Sequence, residues 1–212
     1  KLGAVMVHEH DHKEFQPDTE GPDLTETQLR EITMRELLIE KDVLTADQIR
    51  VQVEAWEQKT PALGGKIVAR AWQEPVFKKR LLEDGTAAVM EYDVEMGDLE
   101  LKVIENTPEV HNVVVCTLCS CYPRTILGLP PAWYKSFNYR RRVVREPRTV
   151  LAEFGTELPA DVEVRVHDST ADLRFLILPL RPEGTEGMSQ EELADLVNRD
   201  SMIGVSLPRN PS

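Results

Sequence analysis

The sequence predicts an α+β fold, an N-terminal helical arm followed by a layered α-β-β-α domain, and two observations lead there. Helix-capping pairs and apolar residues at near-helical spacing fill the first third of the chain. From Leu99 onward the apolar period shortens to two, the repeat of a half-buried strand. Helices come first and mixed strands and helices follow, the order of an α+β protein. The expected division is a flexible tail over residues 1–22, a helical arm over 23–90 and a second domain over 91–212.

Each element has its own signal. Residues 1–22 carry His8, His10 and His12 in alternation, then Pro17, Gly21 and Pro22, with little apolar periodicity. Alternating histidines can hold a metal weakly, but a solvated tail is the preferred reading. Thr25 with Gln28 forms a capping box, and Leu29, Ile32, Leu37 and Leu38 continue it as a helix. Thr45 with Gln48 opens a second helix with Ile49, Val53 and Trp56 on one face, which Pro61 and Gly64-Gly65 are expected to interrupt. A third spans Pro75 to Leu82, with Gly85 as its stop.

Leu99, Leu101 and Val103 alternate with charged residues as a strand, and Asn106-Thr107-Pro108 reads as a turn. His111 to Val115 is a second, more buried strand that runs straight into three cysteines. A Pro- and Gly-rich loop covers Tyr122 to Pro131, and a helical region covers Tyr134 to Phe154, broken near Pro147 and closed by Gly155. Val162, Val164 and Val166 alternate as a strand, His167 to Thr170 turns, and Leu173 to Leu178 forms another strand. Ser189 with Glu192 caps a helix to about Arg199, and Ile203 to Leu207 is expected to end the chain as a short strand. There is no internal repeat.

Bulk properties exclude several classes. A net charge of −12 repels a phosphate backbone, so no nucleic-acid partner is expected. The one basic gathering is Arg140, Arg141 and Arg142 with Arg145 and Arg148. It is either a cradle for an anionic site or partner, or a solvated helix face with acidic neighbours. No apolar stretch reaches the length of a membrane span, and the charged start carries no signal-peptide pattern. All three cysteines lie within six positions, which argues against a disulfide framework and for a reducing compartment, the cytoplasm.

Cys116 and Cys119 have the spacing at which a turn brings two sulfurs to one ion, and Cys121 follows two residues on. That spacing wraps the backbone round the same ion and brings the peptide nitrogens of Ser120 and Cys121 into bonding range. Three sulfurs and two nitrogens would fill five positions of an octahedron and leave one open. Amide nitrogens bind only after losing a proton, which calls for a strongly polarising ion such as trivalent cobalt or iron. The open position can act as a Lewis acid toward water or a substrate nitrogen. The competing reading is a structural zinc site or three free buried thiols; zinc normally wants four ligands, and the chain has no fourth Cys.

Val115-Cys116-Thr117-Leu118-Cys119-Ser120-Cys121 resembles the metal claw of nitrile hydratase α subunits. The likeness continues through Leu127-Gly128-Leu129-Pro130-Pro131, Trp133-Tyr134-Lys135, Val144 to Arg148, Arg181-Pro182 and Arg199 to Val205, covering the chain from about Thr25 to Pro208. The resemblance implies a metal bound by the sulfurs of Cys116, Cys119 and Cys121 and by the peptide nitrogens of Ser120 and Cys121. It implies Cys119 oxidised to sulfinate and Cys121 to sulfenate. Thr117 stands where iron-type members carry Ser, so the resemblance is to the cobalt type, Co(III) with Fe(III) as the alternative. The implied reaction hydrates a nitrile to an amide by attack of the sulfenate oxygen or a metal-bound hydroxide on the nitrile carbon, with Cys121, Cys119 and Ser120 at the chemistry. The implied assembly is a hetero-oligomer with a β-type subunit, one chain or two, which closes the site and sends two arginines to the oxidised sulfurs.

Two departures point to a relative, the thiocyanate hydrolase γ subunit. Arg124 stands where nitrile hydratases usually place a pocket Trp, and Glu95 to Leu99 lacks a Gln that many of them carry. Arg124 would suit an anionic substrate, a carboxylate of the partner or a bulky polar nitrile. Nitrile hydratase is the leading reading, thiocyanate hydrolysis the alternative, and a non-catalytic metal carrier the third. Trp133 is a candidate pocket wall, although a core role suits it better; Trp56 and Trp72 read as packing or interface residues, and His111 and His167 as makers of structural hydrogen bonds.

Overall fold

The computed structural model describes residues 25–211, so the tail and its three histidines lie outside the described residues. Two compact units divide between Val51 and Gln52. In the first, α1 (Glu26–Glu40) starts at a full capping box in which Thr25 and Gln28 exchange backbone hydrogen bonds. No residue of α1 is buried. Its apolar residues Leu29, Met34 and Leu37 are exposed. The helix α2 (Ala46–Glu57) crosses the division and is capped by Thr45 and Gln48 in the same reciprocal way.

The second unit holds the core. Its elements are α3 (Ala62–Gln73), α4 (Pro75–Glu83), α5 (Gly85–Val89), β1 (Glu100–Glu105), β2 (Val110–Val115), α6 (Arg124–Leu127), α7 (Ala132–Lys135), α8 (Phe137–Arg142), α9 (Pro147–Glu153), β3 (Glu163–Asp168), β4 (Leu173–Leu178), α10 (Gln190–Leu196) and α11 (Arg199–Ile203). The strands make two parallel pairs, β1 with β4 and β2 with β3. Helices α4 and α5 pack on β1, α9 on β3, and α11 on both β2 and β4. The protein is thus mixed α+β. Among the described residues no helix is long and apolar enough to cross a membrane.

In the second unit α3 to α5 belong to the core, where Ile67, Val68, Phe77, Leu81 and Val89 are all buried. The structure differs from the sequence expectation in two places. Gly64 and Gly65 were expected to break a helix and instead sit inside α3. They let α3 come close to its neighbours: a methyl at Gly65 would lie 3.0 Å from the Ala194 carbonyl oxygen of α10, and one at Gly64 would meet the Met202 sulfur. Packing here outweighs the roughly 1 kcal/mol that glycine costs a helix. Ile203–Leu207, expected as a strand, is the end of α11 followed by a turn. Asn198 caps α11, and Gly204 stops it in the left-handed region at φ 87°.

Beneath β2 lies a buried polar network. Asn112 donates from its amide group to the Glu105 carbonyl and to the Asn106 side-chain oxygen. His111 Nε2 sits 2.7 Å from the Gly204 carbonyl oxygen, and its Nδ1 faces the Asn106 amide nitrogen at 3.3 Å. His167 Nε2 lies 2.8 Å from the Asn112 side-chain oxygen. A neutral His111 with its proton on Nε2 satisfies both neighbours, and burial lowers the pKa of both histidines, with Arg165 adding to the effect at His167. They are structural, and they hold the strand that carries the cysteines.

Candidate metal centre

Val113, Val114 and Val115 are fully buried and pin the end of β2, so Cys116 enters the turn from a fixed point. The parallel register sets Val115 opposite Asp168. That brings the Asp168 carboxylate to the turn, where it accepts the Thr117 amide at 2.9 Å and the Thr117 hydroxyl at 2.5 Å. Farther along, the Cys119 amide donates to the Cys116 sulfur at 3.3 Å. The Tyr134 hydroxyl donates to the Cys121 carbonyl at 2.8 Å, and the Tyr139 hydroxyl to the Val114 carbonyl at 2.6 Å. The turn is fastened at both ends by groups distant in sequence.

The three sulfurs converge, all within 4.8 Å of one another. Cys116 and Cys119 are 3.5 Å apart at sulfur, and Cys119 and Cys121 are 3.2 Å apart. Metal–sulfur bonds of about 2.3 Å give sulfur separations of about 3.3 Å for neighbouring octahedral positions and about 3.8 Å for tetrahedral ones. The observed spacings lie nearer the first. The donor set is soft, three thiols with no other His, Cys or carboxylate within the same radius among the described residues, which suits a transition metal over magnesium or calcium. It also leaves out the fourth side chain that a closed zinc site requires.

Burial grades the three. Cys116 is buried, Cys121 half-buried and Cys119 exposed. Hydrogen bonds from Cys121 and Cys116 lower the Cys119 thiol to about 7, whereas burial raises the Cys121 thiol to about 12. Thiolates are the metal-binding form, so a cation bound here would release the remaining protons.

A pocket of about 310 Å³ opens beside the thiols. Trp56, Met96 and Leu99 supply apolar wall, Cys119, Ser120 and Cys121 the reactive edge, and Arg124 and Arg174 the charge. Arg124, a pocket candidate from the sequence, lines this wall. Trp133, the other candidate, stacks edge-on against Tyr134, Tyr139 and Phe154 in an aromatic cluster and lines no part of this pocket. Trp56, read as a packing residue, lines it instead. The arginine run stands apart from the pocket as well. Arg142 pairs with Glu146 and Glu153, Arg140 lies over the Phe137 ring, and Arg148 donates to the Leu158 and Pro159 carbonyls. Sequence reasoning missed Asp168, Tyr134 and Arg174. Arg174 did leave a trace, as the lone cation within the otherwise apolar Leu173–Leu178 strand.

Comparison with known proteins matches residues 25–206 to the family described as nitrile hydratase, alpha chain. The chain belongs to that family. The low-molecular weight cobalt-containing nitrile hydratase subunit alpha of Rhodococcus rhodochrous is 55% identical over 181 residues, covering 84% of this chain and 87% of its own. The thiocyanate hydrolase subunit gamma of Thiobacillus thioparus is 42% identical over 199 residues, covering 88% and 82%. Among solved structures, a double-mutant Fe-type nitrile hydratase of Comamonas testosteroni superposes with a TM-score of 0.82 at 42% identity, covering 87% of this chain and 91% of that one.

Within this nitrile hydratase α-chain fold, the Asp168 carboxylate is the clamp on the turn. Two hydrogen bonds to a charged acceptor contribute about 1.5–3 kcal/mol each. Asp168→Ala is expected to keep the circular dichroism of the parent and to retain less than half of its metal after cobalt-supplemented expression and dialysis. Unchanged metal content would show that the turn holds itself.

Proposed function

We propose that this chain is the metal-carrying catalytic subunit of a cobalt-type nitrile hydratase, hydrating nitriles to amides together with a β-type subunit. The observation that carries this is the convergence of three cysteine sulfurs at the edge of a pocket with an apolar wall. The cobalt-containing name of the 55% identical relative supports the choice of metal, with iron as the alternative. Trivalent cobalt, held by the sulfurs of Cys116, Cys119 and Cys121 and by the peptide nitrogens of Ser120 and Cys121, would supply Lewis acidity toward the nitrile.

The chain's own residues divide the remaining work. Cys121 lines the pocket, which suits a sulfenate whose oxygen attacks the nitrile carbon; Cys119, the exposed member, suits the sulfinate. Ser120 lies between them on the pocket edge and can donate its hydroxyl to an oxidised sulfur. Tyr134 and Asp168 keep the turn from rearranging as charge develops. Trp56, Met96 and Leu99 desolvate the substrate's apolar portion.

The site is open toward solvent. Leu118, in the middle of the turn, is 87% exposed and so available to a covering chain. A β-type partner, in one chain or two, would bury Leu118, close the pocket and place arginines against the oxidised sulfurs. Three thiols free of disulfides fit a cytoplasmic assembly.

One observation favours a second reading. Arg124 lines the pocket, and its side chain has no hydrogen bond or ion pair among the described residues. A free guanidinium there would also suit thiocyanate. The test is the complex co-expressed with its partner subunits in cobalt medium, offered neutral nitriles and, separately, thiocyanate. Amide formation with negligible carbonyl sulfide is expected. Carbonyl sulfide without amide would replace the hydratase reading with thiocyanate hydrolysis.

A further inference from the structure

The buried polar network beneath β2 can run in only one direction. Asn106, His111 and Asn112 are 2%, 4% and 2% exposed, so their hydrogen bonds must be made with one another or with the main chain. Two backbone groups set the direction. The main-chain amide of Asn112 donates to Asn106 Oδ1 at 2.8 Å, and the Glu105 carbonyl accepts from Asn112 Nδ2 at 2.9 Å. A peptide N–H cannot accept and a carbonyl cannot donate, so neither side-chain amide can be turned over. Asn106 therefore presents its Nδ2, a donor, to His111 Nδ1 at 3.3 Å, while the Gly204 carbonyl faces Nε2 at 2.7 Å. His111 has to accept at Nδ1 and donate at Nε2. Only the neutral ring does both.

We propose that His111 is a positioning residue for the cysteine turn, and that charging it in acid unlocks the strand leading into Cys116. A proton added at Nδ1 sets donor against donor at Asn106. Turning the Asn106 amide gives no relief, because it would break both bonds to Asn112. Nor does a carboxylate stand ready to receive the charge. On the elements packed against β2, Glu163 and Arg165 of β3 pair with each other, and Asp168 accepts from Thr117. Arg174 of β4 donates to carbonyls, and neither Arg199 nor Asp200 of α11 acts on His111. Burial holds His111 below its ordinary value of 6.5, against a smaller opposite pull from the Gly204 carbonyl. The unfolded chain lacks that burial, so this stabilisation is complete above about pH 6.5 and declines as the pH falls below it. His167 differs: its Nε2 donates to Asn112 Oδ1 in either charge state, so charging it breaks no bond, although Arg165 and Lys102 oppose it. His111 is the joint between the end of β1, the cap of α11 and β2, so its loss frees the strand without touching a sulfur. The lock is independent of which substrate the site takes.

The test uses the cobalt-loaded complex with its partner subunits, as the parent and as Asn106→Asp and His111→Asn variants. Nuclear magnetic resonance of isotope-labelled histidine reads the charge and tautomer of His111. Tm and the cobalt retained after dialysis are measured at about pH 7.5 and about pH 5, on either side of the ordinary histidine value. In the parent, His111 should be neutral and protonated on Nε2 at both. Asn106→Asp replaces the opposing donor with a carboxylate oxygen, so His111 should be charged at about pH 5. The fall in Tm on acidification should then be smaller than the parent's by roughly 3 °C or more, with less cobalt lost. His111→Asn keeps an acceptor for Asn106 but has no ring to titrate. It should melt below the parent at about pH 7.5 and show the same reduced acid loss. A parent His111 that titrates at its ordinary value, or carries its proton on Nδ1, would overturn the proposal, and this reading needs no variant to fold. Variants whose acid losses match the parent's would overturn it too, because protonation of the thiols would then account for the release.

Discussion

Cys121→Ser in the co-expressed complex is expected to abolish stable cobalt retention and lower nitrile hydration by more than about a hundredfold, since losing residues that merely orient metal ligands already costs 10–100-fold. Cys119→Ser should do the same. The reason is geometric: the sulfurs lie 3.2 Å and 3.5 Å apart along the turn, so each variant removes a donor from a cluster with no side chain in reserve. Leu118→Ala is the companion variant. Leu118 shares the turn but offers no ligand atom, so its replacement should leave cobalt content unchanged. Elemental analysis and amide assay read both. A Cys121→Ser complex with full cobalt and full activity would remove this cluster from the mechanism.

Gly204→Ala is expected to destabilise the protein by on the order of 3–5 kcal/mol, with a drop in Tm of roughly 10 °C or more. Two penalties coincide. Gly204 caps α11 at φ 87°, where a Cβ is strained, and that Cβ would lie 2.0 Å from the Asn112 carbonyl oxygen. The Asn112 carbonyl is backbone of β2, so neither partner can move without displacing the strand that leads into Cys116. The Gly204 carbonyl also faces His111, which would lose its acceptor if the loop shifted. Thermal melting followed by circular dichroism is the check. A variant that melts within two or three degrees of the parent would mean that the α11–β2 contact is looser than described.

The cysteine turn was legible because its donors lie within six positions, near enough in sequence for one turn to bring Cys116, Cys119 and Cys121 together. Helix starts were legible for the same reason, and Thr25 with Gln28 and Ser189 with Glu192 close their boxes within four residues. Strand positions came from alternation, as at Val162, Val164 and Val166, but alternation says nothing of partners. The parallel pairing that delivers Asp168 to Thr117 spans some fifty positions, and no local pattern encodes it. Arg174 was hidden for that reason too. Gly64 and Gly65 were misread because a glycine that breaks a helix and one that lets two helices touch look alike until the neighbour, here Ala194 and Met202, is in place. Trp133 follows the cysteine loop in sequence and was a pocket candidate only second to a core role, and it packs against three neighbouring rings.

Parallel pairing also sets the order in which this chain can become competent. β2 must wait for β3, and β1 for β4, partners that lie more than fifty residues downstream. Closing such long loops is entropically costly and slows folding relative to local hairpins. During synthesis the three thiols therefore leave the ribosome well before Asp168 and Arg174. Until those residues arrive, the turn lacks its clamp and the pocket its charge. Cobalt captured at that stage would meet flexible thiols open to any soft cation, so faithful loading belongs to the finished chain, after its final third has docked.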